Sequence, residues 1–261
     1  MEQSNGHGPS ETESTTEPVA AYPGDGSYGL ALQPGRRQYV KYTFFKVDPV
    51  WRRLERLERE RQIDEVGDLI ESWASRNLIR CYSTVGTRGD ADFMIWQVSY
   101  ELADIQRMAA EVGGTALAGW LTTPHSYLSM TKHSTYVERY AGPTGDRATR
   151  LSLAPGGGKY LFVYPLTKLR EWYGLGREER QEAMNQHMAI GATYPSVKIN
   201  TTYSFGLDDQ EFVLAFETDE PGDFLDLVQE LRGSLSSAYT ASDVPLFTCA
   251  NTTAASWNAS R

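Results

Sequence analysis

KYLFVYPLTKLREWYGLGREERQEAMNQHMAIGATYPSVKINTTYSFGLDDQEFVLAFETD, residues 159–219, switches between two periodicities. Its opening, KYLFVYPLT, is a run of aromatic and β-branched residues of strand length. From Arg177 to Thr193 the apolar residues recur at spacings of three and four, the period of a helix. VKINTTYSFG and EFVLAFETD then read as two strands flanking a Leu-Asp-Asp turn. Beyond them, Asp223 to Ser234 carries an amphipathic helical pattern, and VPLFTC (244–249) closes the series as a strand.

The same order of elements appears upstream. Order is expected to begin near Arg37 with the strand QYVKYTFFKV. A long charged helix follows from Pro49 to Arg76, with Trp51, Leu54, Leu57, Ile63, Val66, Leu69, Ile70 and Trp73 as its buried side and a kink near Arg59–Gln62. IRCYSTVGT and ADFMIWQVS are two strands separated by a Thr-Arg-Gly-Asp turn, a second helix spans Tyr100 to Gly113 through Leu102, Ile105, Met108 and Ala109, and HSYLSMTK is the next strand. FMIWQV and FVLAFE occupy corresponding places in the two series. Two copies of β-α-β-β-α-β predict an α+β fold of two ferredoxin-like halves whose antiparallel sheets pack together. The boundaries that follow are an acidic tail over 1–35, an N-terminal half over 36–140, a connecting loop over 141–158 and a C-terminal half over 159–261.

Composition narrows the functional classes. A chain of 261 residues that is 40% hydrophobic and 11% aromatic can bury a substantial core. Glu2, Glu11, Glu13, Glu17 and Asp25 face no lysine or arginine in residues 1–35, so this tail supplies −5 of the net −9 and the rest is near −4. Rich in Gly, Ser, Thr, Glu and Pro, the tail has the composition of a disordered segment. Nothing is basic enough for a nucleic-acid footprint. No apolar run is long enough to span a bilayer and no signal-peptide core appears, which points to the cytoplasm. Cys81 and Cys249 make no metal pattern and are expected as free thiols.

The candidate chemistry lies between Lys159 and Tyr194. Arg180, Ala183, Met184, His187, Ile190, Gly191 and Tyr194 form one helical stripe, so His187 faces inward. Gly191, one turn later, leaves room for a flat ring beside the imidazole. A single imidazole on such a stripe can grip haem iron from one side, although a lone histidine on such a stripe is more often a hydrogen-bonded core residue. The other histidines are His7, His125 and His133, the first of them in the polar tail. Gly156–Gly158 precedes a strand and lacks a Lys-Ser/Thr partner, so it fails the context of a phosphate loop. Asp208–Asp209 reads as turn chemistry.

Taken together, YPLTK (Tyr164 to Lys168), the Trp172–Tyr173 pair, REER (Arg177 to Arg180) and NQHMAIG resemble the haem-binding half of the chlorite dismutase family, especially its coproheme decarboxylase branch. The resemblance runs more weakly through TVGTRGDADFMIW and HSYLSMTK, and more strongly from Arg150 to Cys249. It implies a duplicated ferredoxin-like fold, a dimeric α+β barrel, whose C-terminal half binds the porphyrin, and a ring-shaped homopentamer. It also implies that iron-coproporphyrin III is converted with hydrogen peroxide to haem b. His187 would be the axial iron ligand and Glu217 the acceptor behind its other nitrogen, though a strand-end surface glutamate fits Glu217 as well. Tyr164, otherwise a buried strand tyrosine, would yield an electron and a proton, and its radical would act on a propionate side chain, which loses carbon dioxide and becomes a vinyl group. Lys168 and Arg150, by themselves solvated charges, would hold propionates. At the distal position, where chlorite-degrading members have arginine and many decarboxylases glutamine, the alignment places Ile199, which cannot polarise an oxygen; its neighbours Lys198 and Asn200 are polar, and a slip of one residue would exchange them. VERYAGPTGDRATR holds no histidine that could replace it. The alternatives are therefore a haem-dependent chlorite lyase or weak peroxidase, and a haem carrier or sensor without turnover.

Overall fold

Alternation along YVKYTFFKV sends Val40, Tyr42 and Phe44 to one face of strand β1 (Tyr39–Val47), where all three are fully buried. In the computed structural model, which describes residues 30, 33, 35–134, 136, 152–153 and 155–257, β1 is one of nine strands. β2 (Leu78–Ser83), β3 (Phe93–Ser99), β4 (Leu121–Met130), β5 (Tyr160–Lys168), β6 (Lys198–Tyr203), β7 (Phe212–Thr218), the short β8 (Thr240–Ser242) and β9 (Phe247–Thr252) follow in the chain. The helices are α1 (Arg56–Trp73), α2 (Leu102–Gly113), α3 (Arg170–Gly174), α4 (Arg177–Ala192), α5 (Pro221–Arg232) and α6 (Leu235–Ala238). The fold is α+β with an antiparallel sheet. Strand neighbours run β7-β6-β4-β1-β3-β2-β9-β5-β8, and a further β5–β7 pairing brings the start of that order back to β5.

One sheet face lines a shared interior core that includes Val40, Tyr42, Phe44, Met94, Trp96, Leu161, Val163, Val213, Ala215 and Phe247. The other face is covered by helices in two places. Trp51, Ile63, Val66, Ile70 and Trp73, with Met108 and Val112 of α2, close over Phe45, Ile79, Cys81, Phe93 and Ile95. Phe224, Leu227 and Leu231 of α5 close over Phe162, Tyr164 and Phe216, with Ile190 of α4 and Tyr194 just beyond it at the margin. Burying a side chain such as Leu227 in full stabilises by about 1.5–3 kcal/mol. The seams between elements up to Met130 and those from Tyr160 on are narrow: β4 meets β6 at Met130↔Tyr203, and β2 meets β9 over Cys81–Ser83.

The expected elements recur with adjusted ends. The helix expected over Pro49–Arg76 is instead a 3-10 turn, Pro49–Arg53, followed by α1, and the break lies at Leu54–Glu55 rather than near Arg59–Gln62. The Asp48 side chain accepts from Val50 N at 2.7 Å, and Leu54 is extended, which ends the first turn before α1 begins. Gln62, which would lie in the kink, instead sits on the buried side of α1 and accepts from Trp51 Nε1 at 2.9 Å. Contacts also begin upstream of Arg37: Leu30 packs against the interior core and Gln33 N donates to Tyr100 Oη at 2.8 Å. Residues 1–29 of the tail and most of the 141–158 loop, Arg150 included, lie outside the described residues. Cys81 and Cys249 are buried free thiols. Among the described residues no helix is long and apolar enough to cross a membrane.

Candidate functional site

Strand parity decides which candidates meet. Tyr164 of β5 pairs with Leu214 of β7, and Phe162 with Phe216, which in turn pairs with Ile199 of β6. Directly paired residues share a face, so Phe162, Tyr164, Leu214, Phe216 and Ile199 all point toward α4 and α5. Lys168, two alternations beyond Tyr164, follows a register irregularity at Thr167/Lys168 where β5 passes to β8. His187 comes to the same side from α4. That helix starts with Glu179 Oε2 accepting from Gly176 N at 2.8 Å, with Glu178 and Glu179 in its first turn, where the helix dipole favours acids.

His187 is partly buried, and its Nδ1 is fully shielded with no hydrogen-bond partner among the described residues. Burial, with the Lys168 ammonium adding to it, lowers its pKa from 6.5 to about 4, so the ring is neutral at physiological pH with a lone pair free. Tyr164 is 8% exposed and stacks on Phe216 with ring centroids 5.7 Å apart. Burial raises its phenol pKa well above the usual range; the Asp243 charge adds to this and Arg232 opposes it. Lys168 Nζ donates to the Ser236 carbonyl at 2.6 Å, to Ser236 Oγ at 3.1 Å and to Thr240 Oγ1 at 3.4 Å, and lies 5.0 Å from the centre of the Trp172 ring. Burial lowers the ammonium to about 8, against the raising influence of Glu211. Ser236 Oγ in turn lies 3.6 Å from Met184 Sδ, one turn before His187 on α4.

Strand parity bears on Ile199 and Glu217, and it changes the expectation for Glu217. Ile199 is 43% exposed on the helix side, and a Cβ built on Gly191 would stand 3.7 Å from its Cδ1. Asn200 points the other way and is buried, so strand parity puts Ile199, and not its polar neighbour, on the face toward α4. Glu217, expected behind His187, faces the interior core, because it follows Phe216 by one residue. Its carboxylate accepts from Gly156 N at 2.8 Å, Gly157 N at 2.8 Å and Asn200 Nδ2 at 2.9 Å, and it does not supply the acceptor for His187. The glycine run thereby acquires a reason: a Cβ on Gly158 would stand 2.8 Å from Thr218 N, and Gly157 has φ 77°. Sequence reading missed Glu211 and Ser236, whose contacts with Lys168 are invisible to periodicity.

A neutral imidazole with an unpartnered shielded nitrogen, an aromatic wall and an ammonium on one side of a sheet suit an iron porphyrin with acidic side chains. The chlorite dismutase family profile matches residues 59–252, which include all of these groups. The chain belongs to the chlorite dismutase family. Within it, the chain is 28% identical over 213 residues to a coproheme decarboxylase of Mycolicibacterium smegmatis, covering 81% of this chain and 88% of that protein. It is 26% identical over 200 residues to a chlorite dismutase of Ideonella dechloratans, covering 74% and 68% respectively. The structure of chlorite dismutase from Candidatus Nitrospira defluvii in complex with imidazole superposes with a TM-score of 0.77 at 26% identity, over 84% of this chain and 93% of that one. A haem-binding protein of Thermus thermophilus, 23% identical with a TM-score of 0.74 over 86% and 94%, shares the fold. Family members bind haem, and the family includes haem-dependent enzymes.

Proposed function

We propose that this family member is a coproheme decarboxylase, which removes two propionate carboxyl groups from iron-coproporphyrin III with hydrogen peroxide and releases haem b. The observation that carries the reading is the shared face of β5 and α4: one side of one sheet presents a buried phenol, a neutral imidazole with an unpartnered nitrogen, and a buried ammonium. A chlorite lyase would need a polar group to polarise its substrate oxygen, and Ile199 on the facing strand offers none.

The iron porphyrin supplies one-electron oxidising capacity at the site. His187 would hold the iron, since burial keeps it neutral and therefore available without losing a proton. Lys168 holds a propionate, with Arg150 as a second carboxylate partner; arginine can fork two hydrogen bonds onto a carboxylate. Tyr164 is the redox residue. Burial keeps its phenol protonated, so it gives up an electron and a proton together rather than standing as a phenolate. Phe162, Phe216 and the α5 side chains pack around its ring. On this reading the two halves are ferredoxin-like repeats forming a dimeric α+β barrel, a proposal supported by the element order that runs twice and by the β5–β7 pairing. A homopentamer in the cytoplasm belongs to the same proposal, and its mass in solution checks the assembly.

The test is to add iron-coproporphyrin III and then peroxide to the purified protein and to follow porphyrin mass. Two successive losses of carboxyl groups are expected, and Tyr164→Phe should bind the porphyrin normally yet yield no product. Binding without any mass change would favour a carrier, which the apolar Ile199 position would then explain; oxygen release from chlorite would favour a lyase.

A further inference from the structure

Glu211 opens the β6–β7 face beside the site and is only 8% exposed. Its main chain is tied on both sides: its N–H donates to the Leu166 carbonyl at 3.2 Å, and its carbonyl accepts from Ser204 N at 2.8 Å. Its Oε2 accepts from the Lys168 main-chain N–H at 2.8 Å and from Tyr173 Oη at 2.6 Å. These donors belong to the end of β5 and to α3, and the register irregularity at Thr167/Lys168 lies where they converge. One carboxylate thus fixes the point at which the chain turns and from which the Lys168 side chain sets out toward Ser236 and Thr240. Tyr173 is itself braced, its ring meeting Phe205 edge-on at 6.1 Å.

We propose that Glu211 is a positioning residue that fixes the backbone at Lys168, so that the ammonium meets a propionate near Tyr164 and the site prefers porphyrins with four carboxylates to those with two. The proposal rests on the porphyrin reading above. Lysine is a long, flexible chain, and its contribution to binding depends on how much freedom it loses on contact. Anchoring its main-chain N–H removes part of that freedom in advance. The negative charge of Glu211 also holds the buried ammonium in its charged form, in line with the raising influence it has on Lys168. Tyr164 and Leu166 share one face of β5, and Lys168, past the register irregularity, comes close enough to act on His187 on that same side, so the carboxylate that Lys168 meets is one on the Tyr164 side of the ring. Porphyrins lacking that carboxylate gain nothing from the arrangement.

The experiment uses metal-free porphyrins, which take His187 ligation out of the measurement. Coproporphyrin III, with four propionates, and mesoporphyrin IX, with two, are titrated by fluorescence into the full-length wild type, Glu211→Gln, Lys168→Met and the double variant. Glu211→Gln should weaken coproporphyrin binding roughly tenfold while changing mesoporphyrin binding less than about twofold, and the double variant should be no weaker than Lys168→Met. Equal losses for both porphyrins, additive losses in the double variant, or no loss would overturn the positioning role. A wild type that binds neither porphyrin would overturn the porphyrin reading and this proposal with it. Circular dichroism checks folding; if Glu211→Gln does not fold, Glu211→Asp, which keeps the charge but withdraws it from Lys168 N and Tyr173 Oη, should show the same selective loss.

Discussion

Replacing Glu217 by alanine separates two roles that sequence alone leaves confounded. The wild-type carboxylate is 2% exposed and is the acceptor for three donors: Gly156 N, Gly157 N and the Asn200 amide. Each buried donor left without an acceptor costs about 1–3 kcal/mol, and water entering the vacated space recovers part of it. The alanine variant should therefore lose about 3–5 kcal/mol, much of the margin of a typical domain. Glutamine should fare better. With its oxygen toward Gly156 and Gly157 and its NH₂ toward Asn200, the Asn200 amide can turn to offer its own oxygen, for a loss of about 1–2 kcal/mol. Urea unfolding of the porphyrin-free protein, followed by far-ultraviolet circular dichroism, measures both. An alanine variant within about 1 kcal/mol of wild type would refute the reasoning. So would a Glu217→Gln protein with an altered iron–imidazole Raman band and unchanged stability, because that pattern belongs to a carboxylate behind His187.

Other expectations follow from the same geometry. Gly158→Ala should destabilise by roughly 1–3 kcal/mol, because its methyl would meet the Thr218 main chain, whereas Gly156→Ala should be cheaper, since the methyl meets only the mobile end of Lys198; thermal melts compare them. The His187 pKa is depressed from 6.5 to about 4, so between these values the unfolded chain binds a proton that the folded chain does not. Its effect is absent above pH 6.5, and stability falls as pH drops through the window, by at most about 3 kcal/mol. In His187→Phe the difference from wild type across pH 4–6.5 should isolate that slope, and a constant difference would show that His187 titrates normally. The same variant should lose axial ligation, read from the Soret spectrum of the bound iron porphyrin.

Strand periodicity carried most of the fold because half-buried strands and helices leave their burial pattern in the sequence: YVKYTFFKV and FVLAFET alternate as their pairings require. What escaped was structure decided by single hydrogen bonds. The break before α1 depends on Asp48 and Leu54 in a stretch, WRRLERLERER, whose charge pattern looks helical throughout. Helix α6 and β8, within SLSSAYTAS, have no periodic apolar residues to announce them. For the site, the motif drew attention to Tyr164 and Lys168 on β5, and motif and helical stripe together drew attention to His187 on α4. Glu217 was misplaced because the face that Phe216 takes is set by its pairing with Phe162, which the sequence does not announce; adjacent strand residues point to opposite faces, so Glu217 turns inward. Glu211 left no signal, since an acid at the start of a strand looks like a turn residue until its partners at Lys168 and Tyr173 are known.

The narrow seam at β2 and β9 has a consequence for how the protein is made. β9 is the strand that joins β2 to β5, and it emerges from the ribosome after the other described strands. Until it does, β5, which carries Tyr164 and Lys168, has one long edge unpaired, and Cys249 and Phe247 are absent from the interior core. The folding chain should therefore acquire its ability to hold a porphyrin abruptly, when Phe247–Thr252 pair with β2 and β5, and not gradually as each element forms.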